Sequence, residues 1–327
     1  MRLADPLDQA TGLRRLFATD QTFRAVGILG PDARRNARFT AGMALALGRR
    51  GSRALILDEA AAPHNVASLL GILTRRTLAD GVRAGHLAQA IQSAGQGVDL
   101  LAAQDGIAAL ARMDEREVLQ LADGWRSHAE APQWLLLNST PGSGQGLSAT
   151  ADLRVLVLPG AKARLAEAYT VMKSAHTVWP GSAWLVVVEG AETAAGESLF
   201  TALRETAQRF LGIQCDFLGT LPRRREGAHP ILADADVIGH TYTAGGSAGR
   251  SAGRGPEMGI MAERLTSQPV GEALEFEQYW QRMWLYCRMT AEADMRRTAP
   301  RAAPRAASPP EGANKNLGRP GVFIKGT

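Results

Sequence analysis

The sequence predicts an α/β protein with a mostly parallel β-sheet flanked by helices, and two observations support this prediction. Short apolar runs recur without polar alternation, which is typical of strands buried on both faces. Longer segments with helical spacing lie between several of these runs, among them 39–49, 164–175 and 197–211. The predicted strands are Ala25–Gly30, Ala54–Asp58, Val98–Ala102, Trp134–Asn138, Leu153–Pro159, Trp184–Glu189 and Asp216–Gly219.

Length and composition limit the classes of protein that fit. The chain has 327 residues with 45% hydrophobic content, which suits one large domain with appendages. Its two cysteines, Cys215 and Cys287, give neither a disulfide framework nor a metal set, and its six histidines are scattered. No apolar run approaches the roughly 18–20 residues of a membrane span. We therefore predict a cytoplasmic protein.

The basic character of the chain is concentrated at its end. The formal net charge is +5, but residues 296–327 hold seven basic residues and one acidic residue. That balance of +6 leaves −1 for residues 1–295. A near-neutral body argues against a nucleic-acid-binding surface, so we expect no specific nucleic acid partner.

Composition also divides the chain into five segments. A Gly/Ser-rich stretch is typical of a flexible linker, and an Ala/Pro/Arg-rich end is typical of disorder. The predicted segments are an N-terminal arm at 1–20, an α/β body at 21–240, a linker at 241–256, an amphipathic helix at 257–297 and a disordered basic tail at 298–327.

Residues 25–47 have the order of a phosphate-binding loop, namely an apolar strand, a glycine turn and an amphipathic helix. A working loop needs small residues, a lysine for the β- and γ-phosphates and a hydroxyl for Mg²⁺. Here Pro31 and Asp32 follow Gly30, and no Gly-Lys-Ser/Thr occurs in the chain. The pattern favours a nucleotide-binding frame without hydrolytic chemistry, with a working loop elsewhere as the alternative.

Over about residues 5–240 the order of segments resembles the MinD/ParA family of deviant P-loop ATPases. Within that family, residues 8–14 (Asp-Gln-Ala-Thr-Gly-Leu-Arg) are similar to the N-terminal signature Asp-Gln-Ala-x-x-Leu-Arg of the FlhG/FleN group. Asp58 and Asn65 also fit family positions after the second strand. The resemblance implies a P-loop NTPase fold and a role in regulating flagellar number.

The same resemblance implies that the nucleotide site is degenerate. The family's signature lysine falls at Pro31 and its P-loop lysine at Asn36. The Mg²⁺-binding hydroxyl falls at Ala37, the water-orienting aspartate at Ala60 and the Walker-B-like aspartate at Asn138. We expect a pseudo-ATPase without catalytic residues, bound metal or ATP as cofactor. The residues of the degenerate site are Gly30, Pro31, Asn36, Ala37, Asp58, Ala60 and Asn138.

The arm has the pattern of a short amphipathic helix. Asp5 suits an N-cap, Pro6 suits the first helical position, and an apolar stripe follows. The helix could dock on a partner or pack on its own domain. The resemblance implies that it binds the signal-recognition-type GTPase FlhF and stimulates GTP hydrolysis. Gln9 would orient the attacking water, Leu13 and Phe17 would anchor the helix, and Arg14 would pair with an acidic or phosphate-lined surface. The predicted activating residues are Asp8, Gln9, Ala10, Leu13, Arg14 and Phe17.

Near the end of the chain, Phe276, Trp280, Met283, Trp284 and Cys287 form an apolar stripe at helical spacing. The charges around this stripe are nearly balanced, which favours packing in the core or an interface over membrane binding. The basic tail is compatible with weak peripheral attachment to anionic lipid at the cell pole.

The preferred hypothesis is a non-catalytic regulator of flagellar assembly that stimulates an FlhF-like GTPase through its arm. Further expected partners are flagellar basal-body proteins or transcriptional regulators. The alternatives are an active ATPase with an unrecognised nucleotide loop, and a pseudo-ATPase scaffold for another cell-pole or secretion system. The oligomeric state stays open.

Overall fold

The computed structural model describes residues 24–126, 132–140, 146–222, 255–268 and 276–298, and these form an eight-stranded sheet covered by helices on both faces. The strands are β1 Arg24–Leu29, β2 Ala54–Asp58, β3 Gln92–Gly95, β4 Val98–Ala102, β5 Trp134–Asn138, β6 Leu153–Pro159, β7 Ala183–Glu189 and β8 Cys215–Leu221. The helices are α1 Ala33–Arg49, α2 Val66–Leu70, α3 Leu78–Ala84, α4 Gly106–Ala111, α5 Glu115–Arg126, α6 Leu165–Val178, α7 Thr193–Leu211, α8 Gly255–Thr266 and α9 Phe276–Thr298.

The strands lie in the order β3-β4-β2-β5-β1-β6-β7-β8, and only the β3–β4 pair is antiparallel. All seven predicted strands are present, and their bounds agree within two residues. Their apolar runs are buried on both faces, as a parallel sheet between two helix layers requires. The sequence analysis missed β3, because its Gln-Ser-Ala-Gly sequence has no strand pattern.

Helix α8 packs on one face of the sheet together with α1. Met258 of α8 lies so close to Gly42 of α1 that a Cβ on Gly42 would sit 2.8 Å from the Met258 Cε. A Cβ at position 42 would therefore require the Met258 side chain to move. Met261, Ala262 and Leu265 of α8 are buried in the same apolar cluster.

Helix α9 packs on the opposite face, over Leu55 and Leu57 of β2. The predicted apolar stripe faces the body, and Trp284 Nε1 donates a hydrogen bond to the Met113 carbonyl at 3.0 Å. Core packing of this stripe is thus confirmed for the side chains that the structure describes, which are Trp280, Met283, Trp284 and Cys287. In the described part of the chain, no helix is both long and apolar enough to cross a membrane.

The prediction of one helix over 257–297 was wrong, because α8 and α9 are separate helices on opposite faces of the sheet. The sequence between them contains Pro269 and Gly271, both of which disfavour a continuous helix. Helix α8 also begins at Gly255, inside the predicted linker. The arm at 1–20, most of the linker and the tail beyond Thr298 lie outside the described residues, so those predictions stay untested.

Candidate functional site

The candidate site lies at the carboxyl ends of the central strands, the edge at which open α/β sheets bind ligands. The connection from β1 to α1 consists of only Gly30, Pro31 and Asp32, and α1 begins at Ala33. Asn36, which aligns with the P-loop lysine, therefore lies within the first turn of α1. No loop remains between β1 and α1 to wrap around a phosphate chain.

Asp32 caps the helix that follows this short connection. Its Oδ1 accepts a hydrogen bond from the Arg35 backbone N–H at 3.0 Å. In a phosphate-binding loop, backbone N–H groups at the helix N-terminus point at the phosphate instead. Here a carboxylate of the chain itself takes one of these donors and adds a negative charge that repels an incoming phosphate.

Asn36, at the predicted P-loop lysine position, is fully buried. Its Nδ2 donates a hydrogen bond to the Gly30 carbonyl at 3.1 Å. A Cβ on Gly30 would lie 2.3 Å from Asn36 Oδ1, so this contact needs glycine at position 30. The side chain thus turns back onto the β1–α1 connection. The next residue, Ala37, is also buried and carries no hydroxyl for Mg²⁺.

Asp58 and Asn138 lie side by side at the ends of β2 and β5. Asn138 Nδ2 donates to Asp58 Oδ1 at 2.8 Å, and the Val66 N–H donates to Asp58 Oδ2 at 2.6 Å. Burial raises the pKa of Asp58, and these hydrogen bonds partly oppose that shift. Ala60 follows, buried and without a carboxylate. The arrangement fixes the turn after β2, and in the described residues no cluster of His, Cys, Asp and Glu could hold a metal ion.

Two arginines of α1 reach across to the end of β7. Arg35 donates to the Glu189 carbonyl at 2.8 Å, and Arg38 lies 3.0 Å from Glu189 Oε1. Glu189 is buried, so this ion pair lies largely out of water. The sequence analysis missed these contacts because the partners are about 150 residues apart and no local pattern joins them.

A second buried carboxylate, Glu59, follows Asp58 but contacts other groups. Ser139 Oγ donates to Glu59 Oε2 at 2.8 Å, and the Leu147 N–H donates to the same oxygen at 2.9 Å. Ser139 also bonds Ser148. Burial raises the pKa of Glu59 to about 7. The sequence analysis did not single out this cluster, whose members lie up to 89 residues apart.

The predicted activating residues of the arm lie outside the described residues. The first described residue, Arg24, is at the amino end of β1 and pairs with Trp134 of β5. Arg24 therefore lies at the amino ends of the strands, opposite the degenerate nucleotide site.

Comparisons with known proteins identify one curated relative and several solved structures of similar fold. No protein-family model matches the chain. The antiactivator FleN of Pseudomonas aeruginosa is 24% identical over 185 residues, which cover 55% of this chain and 66% of FleN, so the chain spans just under two thirds of that relative.

Among solved structures, MinD in the MinC:MinD complex of Aquifex aeolicus matches with a TM-score of 0.52 and 15% identity, over 77% of this chain and 98% of MinD. A plasmid partition protein of Borrelia burgdorferi bound to AMPPNP matches with a TM-score of 0.50 and 12% identity, over 75% and 98%. The chain has the MinD/ParA fold, and the predicted likeness to the FlhG/FleN group is confirmed.

Proposed function

We propose that this chain is a FlhG/FleN-like regulator of flagellar assembly that neither binds nor hydrolyses ATP. The loss of ATP binding and hydrolysis is supported by the three-residue connection between β1 and α1. This connection ends at Asp32, whose carboxylate accepts a hydrogen bond from the Arg35 N–H. A phosphate at this position meets a like charge, and one of the helix N-terminal donors is already taken. The missing hydroxyl at Ala37 and the amide at Asn138 remove the metal ligands as well.

The regulator acts through its N-terminal arm on an FlhF-like GTPase. The sequence of residues 8–14 and the likeness to FleN support this part of the proposal. Gln9 orients the water that attacks GTP, since an uncharged amide can both donate to and accept from that water. Leu13 and Phe17 bury apolar surface in a groove of the partner, as in other helix-in-groove complexes.

The nucleotide half is tested by calorimetric titration of the full-length chain with Mg·ATP. We expect no binding heat at millimolar nucleotide and no phosphate release above the buffer control. A micromolar dissociation constant would overturn this half and favour the alternative of an active ATPase with an unrecognised loop.

The partner half is tested by GTP hydrolysis of an FlhF-like GTPase in the presence of the chain. Gln9→Ala should keep its affinity and lose most of the stimulation, whereas Gln21→Ala, the same change outside the signature, should behave as the unchanged chain. Leu13→Ala should weaken binding roughly 5- to 150-fold, as expected for an interface anchor. A peptide of residues 1–22 should stimulate weakly, because it must order on binding. Stimulation by Gln9→Ala at the unchanged level, with an inert peptide, would contradict the proposal.

The name of FleN as an antiactivator supports a second function, in which the body binds a transcriptional activator. Deletion of residues 1–20 separates the two functions. It should abolish GTPase stimulation and leave repression of an activator-dependent reporter intact. Loss of repression on this deletion would show that antiactivation also depends on the arm.

A further inference from the structure

Three charged side chains join α1 to the end of β7, and we name Arg35, Arg38 and Glu189 the Arg–Glu clamp. Arg38 NH1 lies 3.0 Å from Glu189 Oε1, and Arg35 NH1 lies 4.0 Å from Glu189 Oε2. Arg35 NH1 also donates to the Glu189 carbonyl at 2.8 Å. The Glu189 side chain is 1% exposed, so its charge is compensated by the two guanidinium groups rather than by water.

The clamp spans the part of the sheet edge that lies beside the β1–α1 connection. Strand β6 separates β1 from β7, so the arginines cross β6 to reach Glu189. The Arg35 guanidinium packs against Gly190, where a Cβ would lie 3.1 Å from NH1 and where φ is +92°. Glycine is needed there both for the backbone conformation and for the close approach of the arginine.

The two positive charges of the clamp are balanced by carboxylates of the chain itself. Asp32 Oδ2 lies 3.6 Å from Arg35 Nε, so two carboxylates offset the two guanidinium groups of the clamp. Those guanidinium groups are already paired with Glu189 and Asp32. An anion would have to displace a carboxylate of the chain before it could bind them.

We infer that the Arg–Glu clamp holds α1 against the carboxyl ends of the neighbouring strands without a ligand. In nucleotide-binding proteins of this architecture, a bound nucleotide bridges these same elements. This inference rests on the proposed loss of nucleotide binding. If the clamp has this role, the body folds without a nucleotide. Glu189 then prevents anions from binding Arg35 and Arg38.

The test compares Glu189→Gln with Glu192→Gln in the full-length chain. Both changes neutralise one glutamate, but Glu192 is exposed and makes no cap hydrogen bond. Glu189→Gln leaves Arg38 without its counter-charge and leaves Arg35 only Asp32, and it should lower the thermal midpoint by roughly 6–20 °C. Glu192→Gln should shift it by no more than about 2 °C.

Inorganic phosphate is the probe for the freed cations. At matched ionic strength, phosphate should raise the midpoint of Glu189→Gln more than that of the unchanged chain, because Arg38 then lacks its carboxylate and Arg35 keeps only Asp32. If Glu189→Gln does not fold, Arg35→Gln with Arg34→Gln as its exposed control tests the same contact. Midpoints of Glu189→Gln, or of Arg35→Gln, that equal their controls would overturn the inference.

The unchanged chain is measured in parallel with Mg·ATP. Stabilisation by Mg·ATP would overturn the proposed function, whereas the clamp is judged from midpoints without nucleotide. If phosphate stabilises the unchanged chain as much as it stabilises Glu189→Gln, the role of Glu189 in excluding anions is overturned.

Discussion

Replacing Asn36 by lysine restores the residue type that a P-loop requires, yet we expect it to destabilise the chain. Asn36 is fully buried, and its side chain turns toward the Gly30 carbonyl rather than toward the open edge of the sheet. A lysine at this position would place an ammonium group in a fully buried site. Its ammonium group would lose the hydration that stabilises it in the unfolded chain.

The magnitude follows from the pKa of a buried lysine. Full burial lowers that pKa by up to 3–5 units from about 10.4, and each unit corresponds to about 1.36 kcal/mol. At pH 7 deprotonation limits the cost to about 4–5 kcal/mol, a fall of roughly 8–20 °C in the thermal midpoint. The folded-state pKa lies below the unfolded value, so the unfolded chain binds more protons. The stability of the variant should therefore rise with pH, by about 2.7 kcal/mol between pH 7 and 9.

Chemical denaturation at both pH values measures this effect, and Asn36→Met is the matched control. Methionine has a similar length and loses the same hydrogen bond, but it carries no charge and should show no extra dependence on pH. The double variant Asn36→Lys/Ala37→Thr should still fail to bind Mg·ATP, because α1 begins at Ala33 and Asp32 keeps its cap. A lysine variant as stable as Asn36→Met at pH 7, or micromolar ATP binding by the double variant, would refute the reasoning.

Three further predictions concern other parts of the molecule. Trp284→Ala should cost about 3–5 kcal/mol in a denaturation experiment, since it empties a buried site and frees the Met113 carbonyl, whereas its exposed neighbour Leu285→Ala should cost little. Truncation after Thr298 should leave the thermal midpoint nearly unchanged, and a loss of several degrees would show that the basic tail packs on the body. Burial raises the Glu59 pKa from 4.5 to about 7, so the stability that Glu59 contributes is full below pH 4.5 and is lost as the pH rises through 7. Between pH 4.5 and 7 the free energy of unfolding should therefore fall by about 3 kcal/mol less in Glu59→Gln than in the unchanged chain, as measured by denaturation. The exposed Glu115→Gln should show the same fall as the unchanged chain.

The sheet was predictable because its strands are continuous apolar runs. Leu55, Ile56 and Leu57 are buried on alternate faces of β2. An uninterrupted apolar run of this kind is typical of a strand that is covered on both faces. The stripe on α9 was predictable for the same reason, since five apolar residues at helical spacing must be covered. Pro269 and Gly271 indicate a break between α8 and α9, but the packing of these helices on opposite faces of the sheet is not encoded in periodicity.

The candidate site was less predictable, and two different reasons apply. Asp32 is a typical N-cap residue before Ala-Arg-Arg, so local rules alone would start a helix at Ala33. The likeness to a phosphate loop led us to expect loop positions there instead. The contacts of Arg35 with Glu189 and of Ser139 with Glu59 join residues 154 and 80 positions apart. No local pattern reports such pairs, because they depend on which strand ends meet at the edge.

The proposed loss of nucleotide binding requires that contacts within the chain hold α1 in place. The helix is held at its start by Asp32, in its first two turns by the Arg–Glu clamp, and in its middle by α8 against Gly42. A ligand at one hundred times its dissociation constant stabilises a protein by about 2.7 kcal/mol. Breaking a buried ion pair costs about 3–5 kcal/mol, which is a similar amount. Internal contacts of this size are comparable with the stabilisation that a bound nucleotide would supply, which is what the proposed loss of nucleotide binding requires of this fold.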